Sequence, residues 1–560
     1  MACAACESPA RVKPWRHAPD PTAEGVRAPG SPALADVSTA AELRAARAHT
    51  LRIQLDADPG RLHPLLAPTT WGRRITLGAV FEPLLRYLPP EPGQAAGRYA
   101  PRIARAWRVM PSGLEIRIEI QQGVKFHDGR QLTTSDVQFT LDAIRDPRRG
   151  VAHLYPMLAD IEAVELITTY ELRIRIKRRG WSESANAGEA GKAGWVLRAL
   201  AEIPILPTHI YDGSLLAGGA LIGSGPWKLA SQKGGTVHLS RFDKYWGGPA
   251  AIADLELVYQ PDAAVALVEA KRGDYDIIPA LIAAHYPEQA NAPGIAAAFR
   301  ALDLRPLRMR LLTFNAQRPA VADAGVRHAL ALLVNRRDIE KRVFAGLARP
   351  ALWPIWPGGF VSAPEAAVPA FDPAAARVLL DAAGWTDSDK DGIRDRAGLQ
   401  LKLVMVGVEH KQTMDSSGPP VKTERDYFVD AARRIGVVIE VKTGGESWVE
   451  KRLDEGAYDI AEVEWTGMVD MDLSSRLGSK HPQLASSPRL DRVLDAMGAA
   501  WDPAERARLG IELAAALAET WPIAGIVADA PKGLVHKRVR NVKIWDGWID
   551  LTQLALDPAP

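Results

Sequence analysis

The stretch Leu114-Glu115-Ile116-Arg117-Ile118-Glu119-Ile120, followed by Gly123-Val124-Lys125-Phe126-His127-Asp128-Gly129 and then by Leu132-Thr133-Thr134-Ser135-Asp136-Val137, reads in turn as a strand, a tight loop and the start of a helix. Leu114, Ile116, Ile118 and Ile120 alternate with charged residues after the turn Pro111-Ser112-Gly113, the pattern of a half-buried strand leaving a hairpin. His127-Asp128-Gly129 supplies turn-tolerant residues. Thr133 and Asp136 have capping-box spacing, and Val137, Leu141 and Ile144 then fall on one helical face. Leu172, Ile174 and Ile176 repeat the strand alternation, so this region is α+β.

Further along, strand and helix signals alternate. Val326, Ala329, Leu330 and Leu333 follow helical spacing, and a second helix is expected to end near Gly346. Asp372-Pro373 and Asp502-Pro503 each pair an N-cap with a first-turn proline. Leu379, Leu380 and Ala383 line the buried face after the first, with Gly384 as the stop; Leu509, Leu513, Ala516 and Leu517 line it after the second. Strand-like runs Leu401 to Val406 and Val437 to Val441 interleave with these helices, as in an α/β lobe. A chain of 560 residues is too long for one core, and two large lobes are expected.

Sixty-nine basic against 67 acidic side chains leave a net charge of +2, which gives no global field for nucleic acid. No apolar run reaches the roughly 18 residues of a membrane helix. The two cysteines, Cys3 and Cys6, lie at the extreme N-terminus, so the body uses neither disulfides nor cysteine-bound metal. A complete secretory signal is not present ahead of them. Ala4-Ala5-Cys6 is nevertheless similar to the end of a bacterial lipoprotein signal; the alternative is two incidental cysteines in a tail. Residues Glu7 to about Thr50 are rich in Ala, Pro, Arg and Gly without periodicity, the composition of a flexible tether.

Several blocks together carry a family resemblance. Phe81-Glu82-Pro83-Leu84-Leu85, Pro101-Arg102-Ile103-Ala104 with Trp107, and Gly123 to Gly129 with Leu132-Thr133 and Asp136-Val137 come first. Ile203-Pro204-Ile205-Leu206-Pro207 with His209-Ile210-Tyr211, Gly223-Ser224-Gly225-Pro226-Trp227 and Tyr245-Trp246-Gly247-Gly248 follow, then Phe314-Asn315, Asp323 with Val326-Arg327, and Gly384-Trp385. In this order they resemble the peptide/nickel-type (family 5) extracellular solute-binding proteins of ABC importers. The resemblance implies an α/β, two-lobed periplasmic-binding-protein-like fold of the enlarged type II class. It divides the chain into a tether (1–50), a first lobe with an extra subdomain (51–305), a second lobe (306–525) and a C-terminal return to the first (526–560), with crossings near Asp303 to Leu312 and Ile523 to Ala530.

Individual residues remain open to two readings. His127 has no second His, Cys or carboxylate at ligand spacing and is read as structural. Gly223-Ser224-Gly225 permits either a tight turn or a close approach of ligand to backbone. Glu464-Trp465-Thr466-Gly467-Met468-Val469-Asp470-Met471-Asp472 is similar to the family's cleft segment. Peptide-binding members carry there, three residues after the tryptophan, an aspartate that pairs with the ligand's ammonium; this chain has Met468. The resemblance therefore points to Trp465, Gly467, Met468, Asp470 and Asp472 as ligand contacts, with Asp470 or Asp472 supplying the counter-charge; Trp465 is otherwise a core aromatic. Asp387, Asp389, Asp391, Gly392 and Asp395 match positions 1, 3, 5, 6 and 9 of a calcium loop whose twelfth-position glutamate is replaced by Gly398. An exposed acidic turn is the alternative, and any bound calcium would be structural.

The expected function is capture of a small-molecule or peptide ligand by hinge closure and its delivery to ABC permease subunits, by a periplasmic or cell-envelope monomer that meets the membrane only through a lipid anchor. No enzymatic activity, cofactor or nucleic-acid partner is expected. Nickel complexes, haem, opines and sugars are alternative ligands for the same fold, and a cleft hydrolase is the alternative from another class.

Overall fold

The computed structural model describes residues 44, 47–67, 69–90, 94, 96–178, 192–216, 221–304, 308–355, 368–409, 422–466, 473–545 and 548–557. Seven strands form one sheet in the order Phe299–Asp303, Lys532–His536, Ile277–Ile278, Thr50–Leu55, Asp254–Tyr259, Thr236–Arg241 and Trp227–Lys233. Six form a second, in the order Ala348–Pro350, Ile523–Asp529, Arg308–Phe314, Ile460–Thr466, Lys402–Val408 and Val438–Gly444. A smaller antiparallel sheet of four holds Ala104–Val109, Glu115–Ile120, Glu171–Ile176 and Ile161–Thr168, and shares one apolar core with the seven-stranded sheet. The six-stranded sheet has a core of its own. This is a two-lobed α/β fold with the extra subdomain on the first lobe.

The chain passes between the large sheets twice, from Asp303 to Arg308 and from Asp529 to Lys532. The two passages touch, since the Leu304 amide donates to the Pro531 carbonyl at 2.9 Å. Because Ile523–Asp529 pairs along its length with Arg308–Phe314 and Ala348–Pro350, the return to the first lobe begins after Asp529, later than the boundary at 525 expected from sequence. The stretch expected to be a flexible tether as far as Thr50 is also tied down at its end. Arg47 donates to the Gly273 and Asp274 carbonyls, and Arg538, paired through Nε with Asp276 at 2.7 Å, donates to the Arg44, Arg47 and Thr50 carbonyls.

The sequence signals behave as their chemistry requires. Helix Thr134–Arg145 opens on the Thr133/Asp136 capping box and buries Val137, Leu141 and Ile144 completely. Asp372 and Asp502 cap Pro373–Ala382 and Pro503–Thr520 with their carboxylates. Within Pro373–Ala382, Ala376 and Leu380 are the fully buried pair, while Leu379 and Ala383 are half-buried.

The first lobe is organised around one carboxylate. Glu82 is fully buried and receives the Tyr245 hydroxyl at 2.6 Å, the Trp246 indole N–H at 2.8 Å and the Ser224 hydroxyl at 3.4 Å, and it is ion-paired with the Arg102 Nε at 2.7 Å. Beside it, the amides of Gly225 and Trp227 donate to the Val80 and Ala79 carbonyls. A Cβ on Gly223 would lie 1.9 Å from the Val80 oxygen and one on Gly225 2.3 Å from the Ala79 oxygen, so both glycines serve chain-to-chain approach. His127 completes the junction: its Nδ1 accepts from the Gly223 amide at 3.2 Å, which leaves Nε2–H to donate to the Gly225 carbonyl at 2.9 Å. Burial pushes this imidazole down to about 4.

Two outcomes are expected. Glu82→Ala leaves Arg102 buried without its partner and should lower the unfolding free energy by about 3–5 kcal/mol, read from denaturant titrations. His127 binds its proton more weakly folded than unfolded, so its contribution is present above the ordinary histidine range and is lost as pH falls towards about 4. Wild type should lose up to about 3 kcal/mol from this group between neutral pH and pH ~4, and His127→Gln should show a shallower pH slope.

Candidate functional site between the lobes

Strand direction decides where a ligand can sit. Thr50–Leu55 runs parallel to Asp254–Tyr259 and to Ile277–Ile278, and the last of these is antiparallel to Lys532–His536, whose first residue leaves the passage between lobes. The carboxyl ends of the first lobe's parallel strands therefore point towards the second lobe. There, Arg308 opens its strand at the same passage and pairs with Thr466, so Ile460–Thr466 ends facing the first lobe, and Lys402–Val408 and Val438–Gly444 run parallel to it. Two sets of strand carboxyl ends thus face each other, the position where open α/β sheets take ligands.

On the first lobe this edge carries Asp56, which accepts the Trp71 indole N–H at 2.6 Å. The Arg74 guanidinium lies 4.9 Å over the Trp71 ring and 4.7 Å over that of Trp548. On the second lobe the edge is a lattice of arginines and carboxylates. Arg310 Nη1 reaches Glu464 at 2.7 Å and Glu424 at 2.8 Å, and Arg308 Nε reaches Asp529 at 2.6 Å. Behind them Arg425 Nε donates to Glu462 at 2.7 Å. The lobes also meet away from the passages, where helices Ala193–Glu202 and Pro488–Ala499 pack together. A Cβ on Gly194 would fall 2.3 Å from the Ala500 carbonyl, and Lys192 Nζ stands 3.3 Å from Asp495.

Of the residues expected to contact ligand, Trp465 is described and Gly467, Met468, Asp470 and Asp472 lie outside the described residues. Trp465 is only 6% exposed, opposite Met309 in the second lobe's core, with the Arg476 guanidinium 5.3 Å over its ring. Its core role is plain. No local sequence signal marks Arg476, which stands eleven residues beyond the tryptophan it covers.

Asp387, Asp389 and Asp395 offer carboxylate oxygens within 4.8 Å of one another. Asp391 stands apart from that group, accepting Gln400 Nε2 at 2.6 Å and the Ile393 amide at 2.8 Å. Asp395 accepts the Ser388 amide and hydroxyl, which hold its carboxyl below the ordinary range. The turn joins Leu401 and Gly436 at the amino ends of Lys402–Val408 and Val438–Gly444. Those strands of seven residues place it about 20 Å from the edge that faces the first lobe.

Fold and edge geometry together define a two-lobed protein with a ligand position between its lobes. Residues 98–483 match the pattern described as bacterial extracellular solute-binding proteins, family 5 middle, and the chain belongs to that family. It is 26% identical over 361 residues to the oligopeptide-binding protein AppA of Bacillus subtilis, covering 62% of this chain and 61% of that one. It is 24% identical over 459 residues to the nickel-binding periplasmic protein of Escherichia coli, covering 77% of this chain and 80% of the relative. Among solved structures, HbpA2 from Haemophilus parasuis superposes with a TM-score of 0.73 at 18% identity, covering 91% of this chain and all of its own. NikA from Brucella suis in complex with Fe(III)-EDTA gives 0.71 at 21% identity, covering 91% of this chain and 100% of its own.

With three carboxylates together and the twelfth-position glutamate absent, calcium affinity at the Asp387 turn should be no tighter than ~1 mM. One millimolar calcium would then add about 0.4 kcal/mol of stability, and thermal melts with calcium and with chelator should nearly coincide.

Proposed function

We propose that this chain is a non-catalytic receptor that closes on a small, peptide-like ligand and presents it to an ABC importer at the outer side of the cell membrane. The facing strand carboxyl ends, joined by two short passages, carry this reading. Contacts available only when both edges engage the same molecule shift the population towards the closed form. The names of the oligopeptide- and nickel-binding relatives support a small ligand, and oligopeptide is the class we favour. Asp470, with Asp472 second, would take the ligand's ammonium in place of Met468. A monomer held by a lipid on Cys6 is the form we propose, with no cofactor and with the Asp387 turn structural.

Titration calorimetry and solution scattering with trialanine test the proposal. Saturation should reduce the radius of gyration, raise the melting temperature and return the peptide intact. Asp470→Asn should weaken binding by about 2–5 kcal/mol, as when one partner of a buried charge pair is removed. Unchanged scattering at saturation rules out hinge closure, and released alanine would favour a cleft hydrolase.

A further inference from the structure

Arg476 differs from the other arginines of the lobe-facing edge. Arg308, Arg310 and Arg425 each meet a carboxylate, whereas among the described residues no carboxylate lies within ion-pair distance of Arg476 and its guanidinium makes no side-chain hydrogen bond. It follows the short turn Leu473–Ser475 and lies over Trp465, the next-to-last residue of the strand that ends facing the first lobe. Among the described residues, Lys480 and Arg476 both lie close enough to His481 to add to the lowering that burial imposes on its imidazole, against a hydrogen bond with the Ser475 backbone that raises it. Arg476 itself is exposed.

We propose that Arg476, laid against the face of Trp465, receives an anionic group of the ligand, a carboxylate. Stacking on an indole fixes the plane of a guanidinium while leaving its N–H edge open, and that edge matches a carboxylate in two parallel hydrogen bonds. The inference rests on the proposed receptor function and narrows its ligand class.

Matched pairs of acid and amide test it: trialanine against trialanine amide, and glucuronate against glucuronamide, titrated calorimetrically into wild type, Arg476→Gln and Arg476→Lys. Wild type should prefer the acid by about tenfold or more, the range of a charge-assisted hydrogen bond. Arg476→Gln should bring acid and amide to within about threefold, with amide affinity unchanged. Arg476→Lys should keep the ligand-free melting temperature and part of the preference, which separates loss of the planar fork from a folding defect. Equal binding of trialanine and its amide by wild type, or a preference that survives Arg476→Gln, overturns the inference and leaves the peptide reading standing. Binding of glucuronate over glucuronamide with neither tripeptide bound overturns the peptide reading and keeps the inference. Binding of none of the four overturns both.

Discussion

A single carboxylate, that of Glu82, must be taken out of water if the first lobe is to close its core, and it can be taken out only where its donors converge. Those donors come from Arg102, Ser224, Tyr245 and Trp246, as much as 164 residues away in sequence. An ionised carboxylate in an apolar interior costs several kcal/mol unless paired and hydrogen-bonded, so any arrangement missing one donor is penalised. The chain at Ala79 to Pro83, the loop at Gly223 to Trp227 and the Tyr245-Trp246 turn are thereby held to one mutual position. Burial, with Glu82 adding to it, also holds the Tyr245 phenol far above its ordinary range, so it remains a donor. What Glu82 contributes is a unique junction between the four-stranded subdomain and the seven-stranded sheet more than net stability.

A rigid first lobe has consequences for the passages. The passages, Asp303 to Arg308 and Asp529 to Lys532, are flanked by the Asp303–Lys532 and Arg308–Asp529 pairs. Arg308 is about half exposed and Asp303 more so, and exposed pairs contribute little. They keep the passages in register without locking the lobes. The closer contact is between helices Ala193–Glu202 and Pro488–Ala499, where Gly194 and Gly498 let backbone and the Trp195 indole approach. Because the lobes meet there and at the passages, a ligand between them need supply only the difference in affinity between open and closed forms.

Local chemistry was readable in the sequence wherever it acts over a few residues. The Thr133/Asp136 box, the Asp-Pro helix openings and the alternation through Ile116 to Ile120 each hold in the fold for that reason. The family blocks were visible too, yet nothing in their spacing says that four of them meet at Glu82, since register across a hundred residues is a property of packing. The end of the second lobe expected from the resemblance, at 525, falls on a glycine. That glycine is instead required inside a strand, where its Cβ would lie 2.7 Å from the Ala351 carbonyl. Asp391 fits a calcium loop by position and departs from it because Gln400 offers a nearer partner.

Charge alone is a poor guide to a binding site here, and the second lobe shows why. Among the described residues, Arg327 and Arg336 also lack a carboxylate within ion-pair distance, but both are buried against carbonyls. Arg327 donates to Val321, Ala322, Thr520 and Trp521, closing the end of helix Pro503–Thr520, and Arg336 donates to Ala331, Ala351 and Gly525. Burial lowers them to about 10 and about 9, still well above neutral pH, so both stay cationic and their charge is spread over backbone dipoles. Such arginines order the lobe, and their burial keeps them from a ligand at its edge. Arg308 and Arg310 are likewise occupied, by acids. Among the described residues of this edge, the guanidinium over the Trp465 indole has no acid within ion-pair distance, and this is why the proposal centres on it.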